Sequence, residues 1–112
     1  METLLVITNC PDEETANAIA LAAVEEKLAA CVNILPRVQS IYRWQGKVES
    51  ASEIPLFFKS TAANYPALET RIRELHPYEL PEIIALPISH GLPAYLNWVA
   101  AETTQRLPAV AV

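Results

Sequence analysis

The sequence predicts a single α+β domain over residues 1–112, and three observations carry that prediction. Short apolar runs read as strands, and between them lie stretches whose apolar residues recur at helical spacing. Prolines fall at the joints, where a missing backbone N–H does least harm. At this length one domain can bury about two thirds of its unfolded surface.

Leu4-Leu5-Val6-Ile7-Thr8 predicts a short, fully buried strand, stopped by Pro11. Asp12 is placed to cap a helix whose first turn carries Glu13 and Glu14, both suited to the positive end of the dipole. Ala16, Ile19, Ala20, Ala23, Val24 and Leu28 then define one apolar face. Residues 30–35 form a second strand ended by Pro36. Val38, Ser40, Tyr42 and Trp44 alternate with Gln39, Ile41 and Arg43 in a period-two strand, Gln45-Gly46 makes a tight hairpin turn, and the chain returns through Val48 to Lys59. Pro55 interrupts that return and predicts a bulge or an edge region. A second helix spans 62–75 with Leu68, Ile72 and Leu75 on one face, and Pro77 ends it. Residues 82–88 form the next strand, with Pro87 pointing to a sheet edge. Pro93 opens a third helix carrying Tyr95, Leu96, Trp98 and Val99. The tail 107–112 carries no clear pattern.

The order β-α-β-β-α-β with an additional C-terminal helix is the split βαβ, or ferredoxin-like, plan. Right-handed crossovers give the strand order 4-1-3-2, with the proline-bearing fourth strand at an edge. Edge strands need cover. A projecting hairpin with Tyr42 and Trp44 could provide it to a second copy. A hydrophobic content of 52% and a mean hydropathy of +0.19 point the same way, towards an oligomer.

The net charge of -5 and eight scattered Lys and Arg leave no basic stripe, so no nucleic acid partner is expected. No apolar run reaches the ~18 residues of a membrane span, and none is expected to insert. The opening Met1-Glu2-Thr3 shows no basic flank of a secretory signal. Cys10 and Cys31 lack metal or redox spacing, so the expected compartment is the cytoplasm. The strands bearing them run parallel in this plan, which sets the thiols at opposite ends of the sheet, beyond disulfide reach. Cys10, at a strand end, is expected to be the accessible thiol, and Cys31 the buried one.

The stretch with most chemistry is His76-Pro77-Tyr78-Glu79-Leu80-Pro81-Glu82. Its two prolines stiffen a backbone that is neither helix nor sheet, and it gathers an imidazole, a phenol and two carboxylates. His76 could bind a metal with Glu79 or Glu82 as oxygen donors; the alternative is a histidine capping the end of its helix. His90 before Gly91 reads as a turn residue. Tyr42 and Trp44 read as packing at an interface rather than a ligand cage. Lys59 either neutralises an anion or reaches solvent along its stem. Glu49 and Glu53 read as solvated or interfacial. No nucleophile with an adjacent base appears, so no enzyme is expected.

Several stretches together resemble the divalent-cation-tolerance (CutA) family: Pro11-Asp12-Glu13, Lys27-Leu28-Ala29-Ala30-Cys31-Val32-Asn33, Tyr42-Arg43-Trp44-Gln45-Gly46-Lys47 and Phe58-Lys59-Ser60-Thr61. The 76–82 stretch and Ser89-His90-Gly91 complete an ordered set over nearly the whole chain. The resemblance implies a homotrimer similar to PII-type proteins, acting in tolerance of copper and other divalent cations. It also implies copper ligands in a strand-one thiol and in the H-P-Y loop. His76 matches the loop, while Thr8 stands where the thiol would be and Cys10 lies two residues on. The expected metal set is therefore His76, Glu79, Glu82 and Cys10, holding copper or another divalent cation weakly, with no tightly bound cofactor. The alternative is an intersubunit pocket for a small anion, formed by Lys59, Tyr78, Trp44 and Glu82 with His76 close by.

Overall fold

A computed structural model describes residues 2–104. The expected state of the 107–112 tail lies outside the described residues. The elements run β1 (Thr3–Cys10), α1 (Glu13–Glu25), β2 (Cys31–Ile34), β3 (Val38–Trp44), β4 (Lys47–Thr61), α2 (Tyr65–Leu75), β5 (Ile83–Pro87) and α3 (Pro93–Glu102).

The sheet order is β2-β4-β1-β5, with β3 paired to the first half of β4. Counting β4 as the third core strand and β5 as the fourth, this is the expected 4-1-3-2. The fold is α+β, an antiparallel sheet with three helices. The alternation along β1 turns Leu4, Val6, Thr8 and Cys10 inward, where they meet Leu56 and Phe58 of β4. Ala16, Ile19 and Ala23 of α1 and Leu68 and Ile72 of α2 close this core. Its other face keeps β1 only half-buried, so the strand is not enclosed on both sides as expected.

Local signals explain the ends. Asp12 Oδ1 accepts from the Thr15 N–H at 2.8 Å, the expected N-cap. Helix α1 closes with Lys27 at φ +59°, Leu28 N–H reaching the Ala23 carbonyl at 2.9 Å and Lys27 N–H the Val24 carbonyl at 3.1 Å. This left-handed closure drops Leu28 into the core. Val24, placed on the apolar face by its spacing, is instead 42% exposed. Helix α2 begins three residues later than expected, because Thr61 and Asn64 form a turn through backbone and side chains. The turn at Gln45 (φ 49°) and Gly46 (φ 80°) has both central residues left-handed, the geometry that matches strand twist in two-residue hairpins.

The expected bulge at Pro55 is not where the structure puts the irregularity. The β1–β4 register is unbroken from Thr3↔Thr61 to Cys10↔Ile54. The slip lies on the other side of β4. From Ile34↔Leu56 to Val38↔Glu53 the chain advances four residues against three, around Pro36. Pro55 is tolerated because its missing N–H faces β2, where its carbonyl accepts from Leu35 and the ladder stops. Pro87 pairs with Leu4 and turns its own missing N–H to the open edge.

Beyond that joint, β3 and the first half of β4 leave the body as a two-stranded arm, stretching the molecule to 57 × 34 × 24 Å. Ile41 (73% exposed) and Val48 (69%) lie on one face of the arm, and Tyr42 and Trp44 on the other. A lone ribbon with apolar residues on both faces is marginal by itself.

The cysteines correct one expectation and uphold another. Strands β1 and β2 both run antiparallel to β4, hence parallel to each other. Cys10 stands opposite Ile54 and Cys31 opposite Lys59. That is roughly 17 Å along β4, far beyond the ~7 Å a disulfide spans. Cys10, however, is fully buried, while Cys31 is half-buried. The reason is that β1 runs two residues further than expected, carrying Cys10 into the core as an inward residue. A thiol reagent on native protein should therefore modify Cys31 first and Cys10 only on unfolding. Faster labelling of Cys10 would contradict this packing.

Candidate functional site

Three segments meet where the arm joins the body: the end of β1, the Glu53–Pro55 joint of β4, and the loop 76–82. Odd-numbered residues of β1 turn their backbone towards β5, as the Ile88 N–H to Thr3 carbonyl bond of 2.9 Å shows at the other end. The β1–β5 ladder stops at Thr8↔Ile83, which leaves the Asn9 carbonyl without a strand partner. His76 supplies one. Its Nε2 lies 2.7 Å from the Asn9 oxygen, and the Tyr78 N–H donates to Nδ1 at 3.2 Å. With Nδ1 accepting from Tyr78, Nε2 is the nitrogen that faces the Asn9 carbonyl as donor. The Tyr78 ring packs on the imidazole with centroids 4.6 Å apart. Its hydroxyl donates to Glu53 Oε2 at 3.0 Å, and the Thr8 hydroxyl fixes the loop by donating to the Glu82 carbonyl at 2.6 Å.

Burial, then the hydrogen bond and charge of Glu53, pushes the Tyr78 phenol up to about 12. Burial, then Asp12 and Glu53, pushes the Cys10 thiol up to about 11. Both folded values lie above the unfolded ones, so the native state keeps its protons longer. The associated stability is fully present below the unfolded values and is lost as pH rises, over about 9 to 11 for Cys10 and 10 to 12 for Tyr78. Urea midpoints should fall across that window, and Tyr78→Phe should flatten its upper part. A wild-type midpoint that does not move there would contradict the buried network.

Beside the network opens a cleft of ≈ 970 Å³ between the arm and the loop. Tyr42, Trp44, Glu53, Tyr78, Glu79 and Glu82 line it. Of the expected intersubunit pocket, Trp44, Tyr78 and Glu82 are thus together. Lys59 is not: it lies opposite Cys31, six residues along β4 from Glu53, and bonds Asn33 Oδ1. Of the expected metal set, Glu79 and Glu82 are exposed at the cleft, whereas His76 is 7% exposed with both ring nitrogens engaged. Cys10 faces the core with a thiol that stays protonated at neutral pH. Among the described residues no three His, Cys, Asp or Glu gather closely enough to hold a metal ion. His76 does end its helix, as the alternative reading had it, but its side chain serves Asn9 rather than the helix carbonyls. His90 bonds only its neighbour Ser89, within a loop. Sequence reasoning missed Glu53 as the floor of the cleft. The usable signal was Pro55 two residues on, which marks where the arm enters the body.

A protein-family profile described as CutA1 divalent ion tolerance protein matches residues 4–102. The chain belongs to the CutA1 family. The divalent-cation tolerance protein CutA of Thermus thermophilus is 52% identical over 103 residues, covering 92% of this chain and 99% of that protein. Mouse protein CutA is 50% identical over 90 residues, and the chain spans about half of it, 51%. Among solved structures, CutA1 of Thermus thermophilus superposes with a TM-score of 0.90 at 49% identity, covering 91% of this chain and 99% of that one. CutA of Archaeoglobus fulgidus, described as a periplasmic divalent cation tolerance protein, gives a TM-score of 0.88 at 32% identity over 91% of this chain and 99% of that one. No helix among the described residues is long and apolar enough to cross a membrane.

Proposed function

We propose that this CutA1-family chain acts in divalent-cation tolerance as a cytoplasmic homotrimer, without catalysis, and binds copper or a similar ion weakly. The observation that carries the reading is the family match across residues 4–102, with a half-identical relative named for that role. The apolar arm supports self-association, and two thiols that the fold holds apart suit a reducing compartment. Exposed Glu79 and Glu82 are the donors best placed to take an ion, in numbers that call for ligands from a second copy. Light scattering at micromolar concentration tests the assembly; a monomeric mass refutes it. Calorimetry with copper tests the ion. Affinity should be weak and should fall in the Glu79→Gln, Glu82→Gln double variant, and no heat at millimolar copper would refute binding.

A second reading, an intersubunit effector pocket, is favoured by the cleft itself, whose volume lies in the range of small-molecule sites. It does not require catalysis either.

A further inference from the structure

We propose that two side-chain ties, one on each face of the arm, lock it at a set angle to the body, so that each subunit presents it ready for assembly. The inference rests on the trimer reading and concerns how that trimer forms. The ladder between β1 and β4 ends at Cys10↔Ile54, and the arm begins at the next residue of β4, with Val38↔Glu53. From Glu53 to the tip, β4 pairs with β3 alone among the described residues. A ribbon without a third strand has little of its own to fix its angle.

Both ties sit at this root. On the face of Tyr42 and Trp44, Glu53 Oε2 accepts from the Tyr78 hydroxyl at 3.0 Å. Tyr78 is itself a fixed post. Its ring packs on His76, whose Nε2 donates to the Asn9 carbonyl, and the Thr8 hydroxyl holds the far end of the loop at the Glu82 carbonyl. Alternation turns Ser52 to the other face, with its partner Gln39. There Arg37 Nη1 donates to the Ser52 hydroxyl and to the Pro11 carbonyl, each at 3.4 Å. The tie through Tyr78 is the stronger, because its acceptor is a carboxylate only 8% exposed, whereas the Arg37 bonds are long and in solvent. Ties on opposite faces resist bending in either direction. An arm held in its assembled pose before two subunits meet is spared the loss of freedom that association otherwise imposes.

Refolding from urea tests this, because folding of a subunit is independent of concentration and assembly is not. In Tyr78→Phe the concentration-dependent phase, followed by light scattering, should slow by about tenfold, the scale of one hydrogen bond to a charged group. The concentration-independent phase, followed by far-UV circular dichroism, should stay unchanged. Arg37→Gln should slow assembly by a smaller factor. Glu53→Gln keeps an acceptor for the phenol and should assemble close to the unaltered rate. Glu53→Leu should match Tyr78→Phe, and the two combined should be no slower than either alone. Assembly of Tyr78→Phe at the unaltered rate would overturn the proposal. So would slowing confined to the concentration-independent phase, as a contact that only stabilises the subunit would give, or additive effects of the two single changes. An unaltered protein that stays monomeric refutes the trimer itself, whereas equal assembly rates among trimers refute only the ties, so the two failures are distinct.

Discussion

Replacing His76 with alanine should lower unfolding stability by about 3 kcal/mol, by orphaning two part-buried backbone groups and removing a buried ring. The Asn9 carbonyl loses its only partner beyond the end of the β1–β5 ladder, and the Tyr78 N–H loses its acceptor. Each such group costs about 1–3 kcal/mol when left unpaired away from water. Conservative replacements divide the effect. His76→Gln can reach the Asn9 carbonyl with a side-chain amide, and His76→Asn can offer an oxygen near the Nδ1 position. Each should recover part of the loss, and neither all of it. Chemical denaturation with and without a chelator separates this role from metal ligation. A loss independent of chelator supports the hydrogen-bonding role. A His76→Ala variant of wild-type stability that has lost copper binding would overturn it.

The strand order was legible because proline and period speak to backbone geometry, which is local. Pro87 marked an edge, Asp12 a cap and Gln45-Gly46 a turn, and each holds in the structure. The elements misjudged were those decided by tertiary partners. Cys10 looked terminal because the apolar run stops at Thr8, yet Asn9 and Cys10 continue the ladder against Pro55 and Ile54. Pro55 looked disruptive because sequence does not say which side of a strand its missing N–H faces. At the site, residue type marks which polar groups share a loop but not which way each side chain turns. His76, Tyr78 and Glu82 do converge, but the imidazole is turned inward by an unpaired carbonyl 67 positions earlier in the chain. Glu53 is visible as a site residue only once the arm and the loop are folded together.

The second large effect concerns the arm. Trp44→Ala should weaken the proposed trimer by about 3 kcal/mol per site, the scale of removing a large aromatic from a packed environment. The arm has its own turn geometry and a full register from Val38↔Glu53 to Trp44↔Lys47, so it is built to stand away from the body. Among the described residues the helices pack chiefly elsewhere: α1 and α2 against each other and the core strands, and α3 against β1 and β4. The arm's exposed apolar side chains, Ile41, Val48, Tyr42 and Trp44, would gain burial from another molecule, and Trp44 is the largest of them. Because every subunit of a trimer loses the same ring, the melting temperature should fall and become more dependent on protein concentration. Dilution series followed by light scattering should then show dissociation at concentrations where the unaltered protein stays assembled. Ile41→Asp on the opposite face provides an independent check, since a charge there opposes burial while Trp44 is kept. If both variants melt and assemble like the unaltered chain, the arm is not the element through which copies of this protein meet.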